Sequence, residues 1–415
     1  MKFIDCLFGV CLLLSLTPIH AQNQLTRKQD YITPNDFRGS DTERIQAAVD
    51  SAAKATKTIV IPAFNANGAN SWKVDKAILL PSDITVILEN CQIQLSDSCR
   101  DNMFRSDNII IGEKDIAWNT NIRIIGIGRV VLRGADNPRA TGDAARTLVL
   151  APQPGRVSYG SDAGRKDRKQ KGDWRNIMIL MAYVNGFTLQ NVTIENSHAW
   201  AISFERTLNA DISDIVFHLP EEQWVNGERK VVHNRDGIDL RQGCKYFRIN
   251  NISGTTEDDF IALTSLGEVN PNHVIGDFHS TMITASGWYG PQDDIEEITI
   301  TNIQCETNTR AVAIRAVDSA GIHHIYINGI VAKARYNSML VGGRGYGKPS
   351  LPGRIHDMHA MNLMSTGEAL ILIESPIANC TFLNGIYAGP KAEPVVYSID
   401  KSEIKNLVLQ NLIRN

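Results

Sequence analysis

The stretch NRDGIDLRQGCKYFRINNISGTTEDDFIALTS, residues 234–265, concentrates the side chains best suited to chemistry. Asp236 opens the segment Asp236-Gly-Ile-Asp-Leu240, and 23 residues later Asp259 opens Asp259-Phe-Ile-Ala-Leu263, with Asp258 beside it. Two carboxyl groups flanking a glycosidic bond are the minimum apparatus for its hydrolysis: one protonates the leaving oxygen while the other activates water or attacks. Crowding raises the pKa of one member, so that it stays protonated near neutrality. The same trio could instead hold a calcium ion, or be no more than an Asp-rich surface turn. What separates these readings is whether the 23-residue spacing is a structural period.

A period is present. The signature apolar, any, Asn/Asp/Gly, apolar recurs at 88–91, 124–127, 189–192, 212–215, 249–252, 300–303, 327–330, 360–363, 383–386 and 409–412. From Leu189 onward the intervals are 23, 37, 51, 27, 33, 23 and 26 residues, which suggests one coil each, with 51 as two coils and the longer ones as a coil plus a loop. Runs such as FTLQNVTI, EITITNI and HIYINGI alternate with period two and are rich in β-branched residues, as strands require. Leucine-rich repeats want steadier spacing and helical repeats want a helical period, which leaves a right-handed parallel β-helix with an N-terminal capping helix.

In such a solenoid equivalent side chains stack about 4.8 Å apart on adjacent coils, which places Asp236 next to Asp259. Both share strand parity with inward residues (Ile238, Leu240, Ile261, Leu263), so the pleat must break before each strand, at Gly237 in the first case. The recurrent Asn belongs at a bend, where it tolerates a left-handed backbone. The helix falls on residues 41–53, with Ser40 or Asp41 as N-cap and Ile45, Ala48, Val49 and Ala52 on one face. It covers an end that would otherwise recruit other strands. Residues 151–175, Gly- and Pro-containing with a basic run, form a surface loop insertion in a single domain spanning 22–415.

Composition agrees. The 415 residues are 43% hydrophobic and 21% charged, enough for a large core, and 42 basic against 45 acidic residues exclude an affinity built on phosphate neutralisation. Residues 1–21, with an apolar run from Leu7 to Leu16 followed by Pro18 and Ala21, resemble a secretory signal peptide, so the chain is expected to be secreted or periplasmic. No later run approaches the roughly 20 apolar residues of a membrane span. The cysteines after residue 21 (Cys91, Cys99, Cys244, Cys305, Cys380) form neither a metal-ligand pattern nor a dense framework, although a Cys91–Cys99 bridge stays open.

The order of these segments resembles glycoside hydrolase family 28, the polygalacturonases and their relatives, within the pectin-lyase-like β-helix superfamily. The matching pieces are Asp41-Thr-Glu-Arg-Ile-Gln-Ala-Ala-Val-Asp50, Ser197-His-Ala-Trp200 for SPxW, Asn234-Arg-Asp236 for N-T-D, and Asp258-Asp259 before an I-A-L strand. The resemblance implies an inverting mechanism with Asp258 as acid and Asp236 with Asp259 as the pair that deprotonates water. It implies no cofactor. The family's Gly-His-Gly has no match near Ser280-Thr281, though His279 is adjacent, and its Arg-Ile-Lys falls on Ala313-Ile314-Arg315. Asn234, His279 and Arg315, with Arg344 and Tyr346 of the loop VGGRGYGKP, are therefore the candidate substrate contacts.

The expected partner is an acidic, pectin-like polysaccharide or oligosaccharide acted on by a monomer. A polysaccharide lyase and a noncatalytic glycan-binding protein are the alternatives. His323-His324 and His356-x-x-His359 lack a partner at ligand spacing, so no metal site is expected there. Asp293-Asp294 belongs to a solvated turn, and Trp200 is either a sugar platform or a core-edge aromatic.

Overall fold

A computed structural model describes residues 31–110, 113, 115–138, 156–158, 174–265, 283, 290–316, 320–342 and 350–415. Helix Asp41–Lys54 begins at Ser40, whose Oγ accepts from Glu43 N while the Glu43 carboxylate returns to Ser40 N at 2.8 Å. This reciprocal box satisfies two of the free N–H groups at the helix start. Ile45, Ala48, Val49 and Ala52 face the core, as their helical spacing requires.

The rest is the expected parallel β-helix. One long sheet runs coil by coil from Thr58–Ile61 to Ile404–Arg414, and a second from Ile78–Leu80 to Val395–Tyr397, with parallel pairing throughout both. Their inward residues form one continuous core that runs the length of the solenoid. Among the described residues no helix is long and apolar enough to cross a membrane. Cys91 and Cys99 are separate buried thiols, which burial pushes up to about 12.

The corners of the long sheet are made by left-handed residues. Asn90, Asn191, Asp214, Asn251, Asn302, Asn362, Asn384 and Asn411, with Gly329, all have positive φ. Each inserts one extra residue into the alternation, so that Thr301 and Asn302 both face outward between the buried Ile300 and Ile303. The chain turns without losing its inward parity. Neighbouring corners are linked, as where Asn251 Nδ2 donates to Asp214 Oδ1 at 2.6 Å. A second column at the start of each long strand (Asn121, Gly186, Asn209, Tyr246, Glu297, His324, Asp357, Asn379, Asn406) does the same with mixed residues, and so left no repeat in the sequence.

Three expectations need correction. The 383–386 signature is out of register by one, because Gly385 pairs with Leu363 and the left-handed residue is Asn384. In the 124–127 copy the left-handed residue is Gly128, which leaves Ile127 exposed. The 51-residue interval is one coil, not two: Lys245–Thr256 pairs directly with Ile295–Thr307, and Ile261–Ser265 with Arg310–Ala316. The surplus length lies between Ser265 and Ile295. The 37-residue interval carries an antiparallel hairpin, Glu222–Val225 with Glu228–His233, on an otherwise single coil.

Asn251→Ala should lower the denaturant midpoint, since a Cβ residue without a local side-chain bond resists the left-handed region by about 1–2 kcal/mol. Asn251→Gly should restore most of that loss and retain only the deficit of the missing bond to Asp214. Equal midpoints for the alanine variant and the unmodified chain would remove the corners from the account of stability.

Candidate active site

Strands Ile202–Glu205, Ile238–Leu240, Ile261–Ser265 and Arg310–Ala316 lie side by side in the second sheet. Ile238, Leu240, Ile261 and Leu263 point into the core, and the register Ile238↔Ile261 is the 23-residue step. Just before these strands Ala201 N donates to Asp236 O, and Gly237 N to Asp259 O at 3.0 Å, which brings the two aspartates onto adjacent coils. The chain bends at Gly237 and at Phe260, and these bends release the aspartates from inward parity. Gly237 is required there, because a Cβ would lie 2.4 Å from Phe260 O and 3.0 Å from the Phe217 ring.

Asp236, Asp258 and Asp259 each place a carboxylate oxygen within 4.8 Å of the other two. Asp258 is held from the backbone, its carbonyl accepting Thr256 Oγ1 at 2.6 Å and Thr307 Oγ1 at 2.7 Å. Asp259 is the bound anion of the set: Arg315 meets Oδ2 at 2.7 Å, and Thr309 Oγ1 and Arg310 meet Oδ1 at 2.9 and 3.2 Å. Burial alone would raise its pKa, but Arg315 and Arg310 outweigh it and hold the carboxyl below its ordinary value.

The others go the opposite way. Burial, then Asp259 and Glu257, push Asp258 up to about 7. Burial, then Asp258, Asp239 and Asp259, push Asp236 well above the usual carboxylate range, and its Oδ1 has no partner among the described residues.

Arg315, expected at the substrate, thus reaches the trio itself. Asn234 stands two residues before Asp236, buried, with φ 64°. His279, Arg344 and Tyr346 lie outside the described residues.

The sequence reading missed several neighbours. Asp239 is a fourth buried carboxylate; burial pushes it well above its ordinary value, with Arg241 working against that. Its outward parity between Ile238 and Leu240 was legible. Arg241 lies over the Trp200 ring at 4.7 Å, and its Nε and one terminal nitrogen have no partner among the described residues. Arg235 stands where the family pattern has Thr. It is buried and donates to Ser197 O at 2.9 Å and Pro220 O at 2.8 Å, tying the Glu222–His233 hairpin to the site.

Asp293 and Asp294 are not solvated. Asp293 is buried against Arg206, with Nε–Oδ1 3.0 Å and Nη2–Oδ2 3.2 Å, and Asp294 accepts from Gly321 N. A charge as deep as that of Arg206 requires a partner, and sequence distance conceals it. Trp200 is buried in a small cluster with Trp174 and Leu180.

Residues 152–340, which contain the trio, Arg235, Arg241, Arg310 and Arg315, match the family model for glycosyl hydrolases family 28. The family resemblance drawn from the sequence therefore stands. No curated relative is similar to the chain. A mutant tailspike protein of E. coli bacteriophage HK620 in complex with a hexasaccharide shares the fold at TM-score 0.57 and 10% identity, over 93% of this chain but only 66% of that one. An exopolygalacturonase from Thermotoga maritima matches at TM-score 0.51 and 16% identity over 93% of this chain and 91% of that one.

Asp293→Ala should destabilise the protein by about 3–5 kcal/mol, because it strands the Arg206 charge in the interior. Glu306→Ala, which breaks only the exposed pair with Lys333, should cost under about 1 kcal/mol. Thermal or denaturant unfolding of the two variants checks the contrast.

Proposed function

We propose that this chain, whose β-helix carries the family 28 glycoside hydrolase match, hydrolyses glycosidic bonds in an acidic polysaccharide or oligosaccharide with Asp258 as general acid. The reading rests on one observation: two adjacent residues of one turn are driven to opposite protonation states, Asp258 up to about 7 and Asp259 down beside Arg315 and Arg310. Hydrolysis needs that pair, a proton donor for the leaving oxygen and an anion to take the proton of water. Asp236, pushed upward by burial and by Asp258, Asp239 and Asp259, positions the water, and the trio titrates as a unit. Arg315 supports the reaction by keeping Asp259 ionised more than by gripping the sugar.

Arg241 is the candidate for a substrate carboxylate. It is a buried cation with two nitrogens that have no partner among the described residues, fixed over Trp200, and Asp239 beside it is driven toward its neutral form. A uronate would give it a charge-assisted partner. We further infer that residues 1–21 direct the protein out of the cytoplasm, from the apolar run Leu7–Leu16.

A second reading is a lyase whose calcium sits among Asp236, Asp258 and Asp259. Arg315 and Arg310 argue against it, since both already neutralise Asp259 and would repel a divalent ion there. The products decide: a lyase yields an unsaturated sugar absorbing in the ultraviolet and stops with chelator. A noncatalytic glycan-binding protein would bind the same oligosaccharides and release no product.

Product analysis on a panel of plant and algal acidic polysaccharides should show reducing ends without ultraviolet absorbance. Following the family resemblance, NMR of the first product should show inversion. The carboxyl oxygens approach within 4.8 Å. Inverting pairs usually stand about 6.5–9.5 Å apart. Retention would therefore make Asp259 a nucleophile. Asp258→Asn should cost about 10²–10⁴-fold in rate and be partly rescued by a good leaving group.

The pH profile of kcat/KM should be bell-shaped. Asp258 acts protonated, so activity should fall as pH rises through about 7; Asp259 acts ionised, so it should fall on the acid side below the ordinary carboxylate range. Arg315→Ala should move the acid limb to higher pH and lower kcat. Arg241→Ala should weaken kcat/KM on the acidic polymer by about 10–10²-fold, the worth of a hydrogen bond to a charged group. On its carboxyl-reduced form the loss should be small. Equal losses on both forms would leave Arg241 without a role in recognising acid.

A further inference from the structure

Away from the aspartates, on the outer surface where the long strands begin, three successive coils bring Glu296, His323 and His356 into one register column. His324 adds a second imidazole beside His323. In a regular strand two consecutive side chains would face opposite ways. Here His324 has φ 53°, and that left-handed residue keeps both rings outside, between the buried Ile322 and Ile325. His323 lies flat against His356, with centroids 4.7 Å apart and planes at 8°.

Carboxylates line the three rings. His323 Nε2 is 3.2 Å from Asp294 Oδ2 and 3.5 Å from Glu296 Oε2, so that nitrogen carries a proton and Nδ1 is the one turned toward His324. His324 Nε2 faces Asp357 Oδ2 at 3.9 Å, and the same carboxylate oxygen takes His356 Nδ1 at 2.7 Å. At 3.9 Å the His324 contact is a charge contact and not a hydrogen bond, so either ring nitrogen of His324 can carry its proton. The two Nδ1 atoms face each other at 2.7 Å. A proton between them makes an N–H···N hydrogen bond, and a divalent ion bound by both nitrogens would take that proton's place.

We propose that His323 Nδ1 and His324 Nδ1, with the Glu296 carboxylate, bind a divalent transition ion of the zinc class. One atom from each of the three residues already lies within 4.8 Å of the others; Lys245 holds Glu296 Oε1, so the ion would take the other carboxylate oxygen or displace the lysine. Zn–N bonds of 2.0–2.1 Å in a tetrahedral site separate two nitrogens by about 3.3 Å, so the rings need to part by only about half an ångström. His324, half exposed, has room to do so. Asp294 on the far nitrogen of His323 supplies the carboxylate that orients metal-bound histidines and raises their basicity. The chemistry is that of a borderline nitrogen-and-oxygen site, which favours zinc-like ions over calcium or magnesium. Because Glu296 and the histidines come from neighbouring coils, with Asp357 from a third, the ion would clamp the solenoid sideways.

The test uses the full chain stripped of metal and titrated with Zn²⁺ alone by calorimetry, with Co²⁺ absorption as a second readout. One equivalent should bind, and the thermal midpoint should rise with Zn²⁺ as mass action requires. His324→Asn keeps a residue that tolerates the left-handed backbone, so the fold should survive. It should weaken Zn²⁺ binding at least about 10²-fold and abolish the thermal shift. Asp294→Asn should weaken binding about 10–100-fold, the usual effect of losing the outer carboxylate. Asp258→Asn should leave Zn²⁺ uptake unchanged. No uptake by the unmodified chain would overturn the proposal and leave the facing nitrogens joined by a proton. Uptake undiminished in His324→Asn would also overturn it, by placing the ion elsewhere.

Discussion

Each coil must return to the same register as the one before it, and the left-handed corner residues make that possible. A strand alternates its side chains between two faces, so a chain that turned without an extra residue would carry its apolar set outward on the next leg. Asn191, Asp214, Asn251 and Asn302 absorb that residue at one corner, and their side chains tie it to adjacent coils. Register then becomes insensitive to what is inserted between coils. The Glu222–His233 hairpin and the long segment before Pro291 leave the pairing of both sheets undisturbed.

Register also concentrates charge. Bringing Asp236 against Asp259, with Asp258 and Asp239 alongside, crowds four carboxyl groups into one place, three of them buried and Asp258 half-buried. They cannot all ionise. Arg315 and Arg310 hold Asp259 below its ordinary value, and burial pushes the other three up. The same rule governs the neighbouring coil positions, where Arg206 is matched by Asp293 and Arg235 by backbone carbonyls and Gln223. At the outer histidines Asp294 orients His323 from its Nε2 side, and the two Nδ1 atoms that meet at 2.7 Å are where the proposed metal would bind.

Sequence alone determined the elements whose signals are local or strictly periodic. The capping helix was written in Ser40, Glu43 and its apolar stripe, because a helix is built from contacts three and four residues apart. The solenoid was written in the Asn corners, because only a few residue types accept a positive φ. The meeting of Asp236 with Asp259 followed from one coil of spacing, and even the break at Gly237 was readable from parity.

What the tertiary structure decided is everything that depends on partners from other coils. The 51-residue interval could be one coil or two until strand pairing chose. The pairing of Asp293 with Arg206, the capture of Arg315 by Asp259, and the convergence of Glu296 on His323 join residues 87, 56 and 27 positions apart. The first two distances match no coil interval, and the third, one coil long, joins residues that no signature marks. Charge pairing is a pairwise matter of a few ångströms. A chain reveals such pairs only once its coils are stacked.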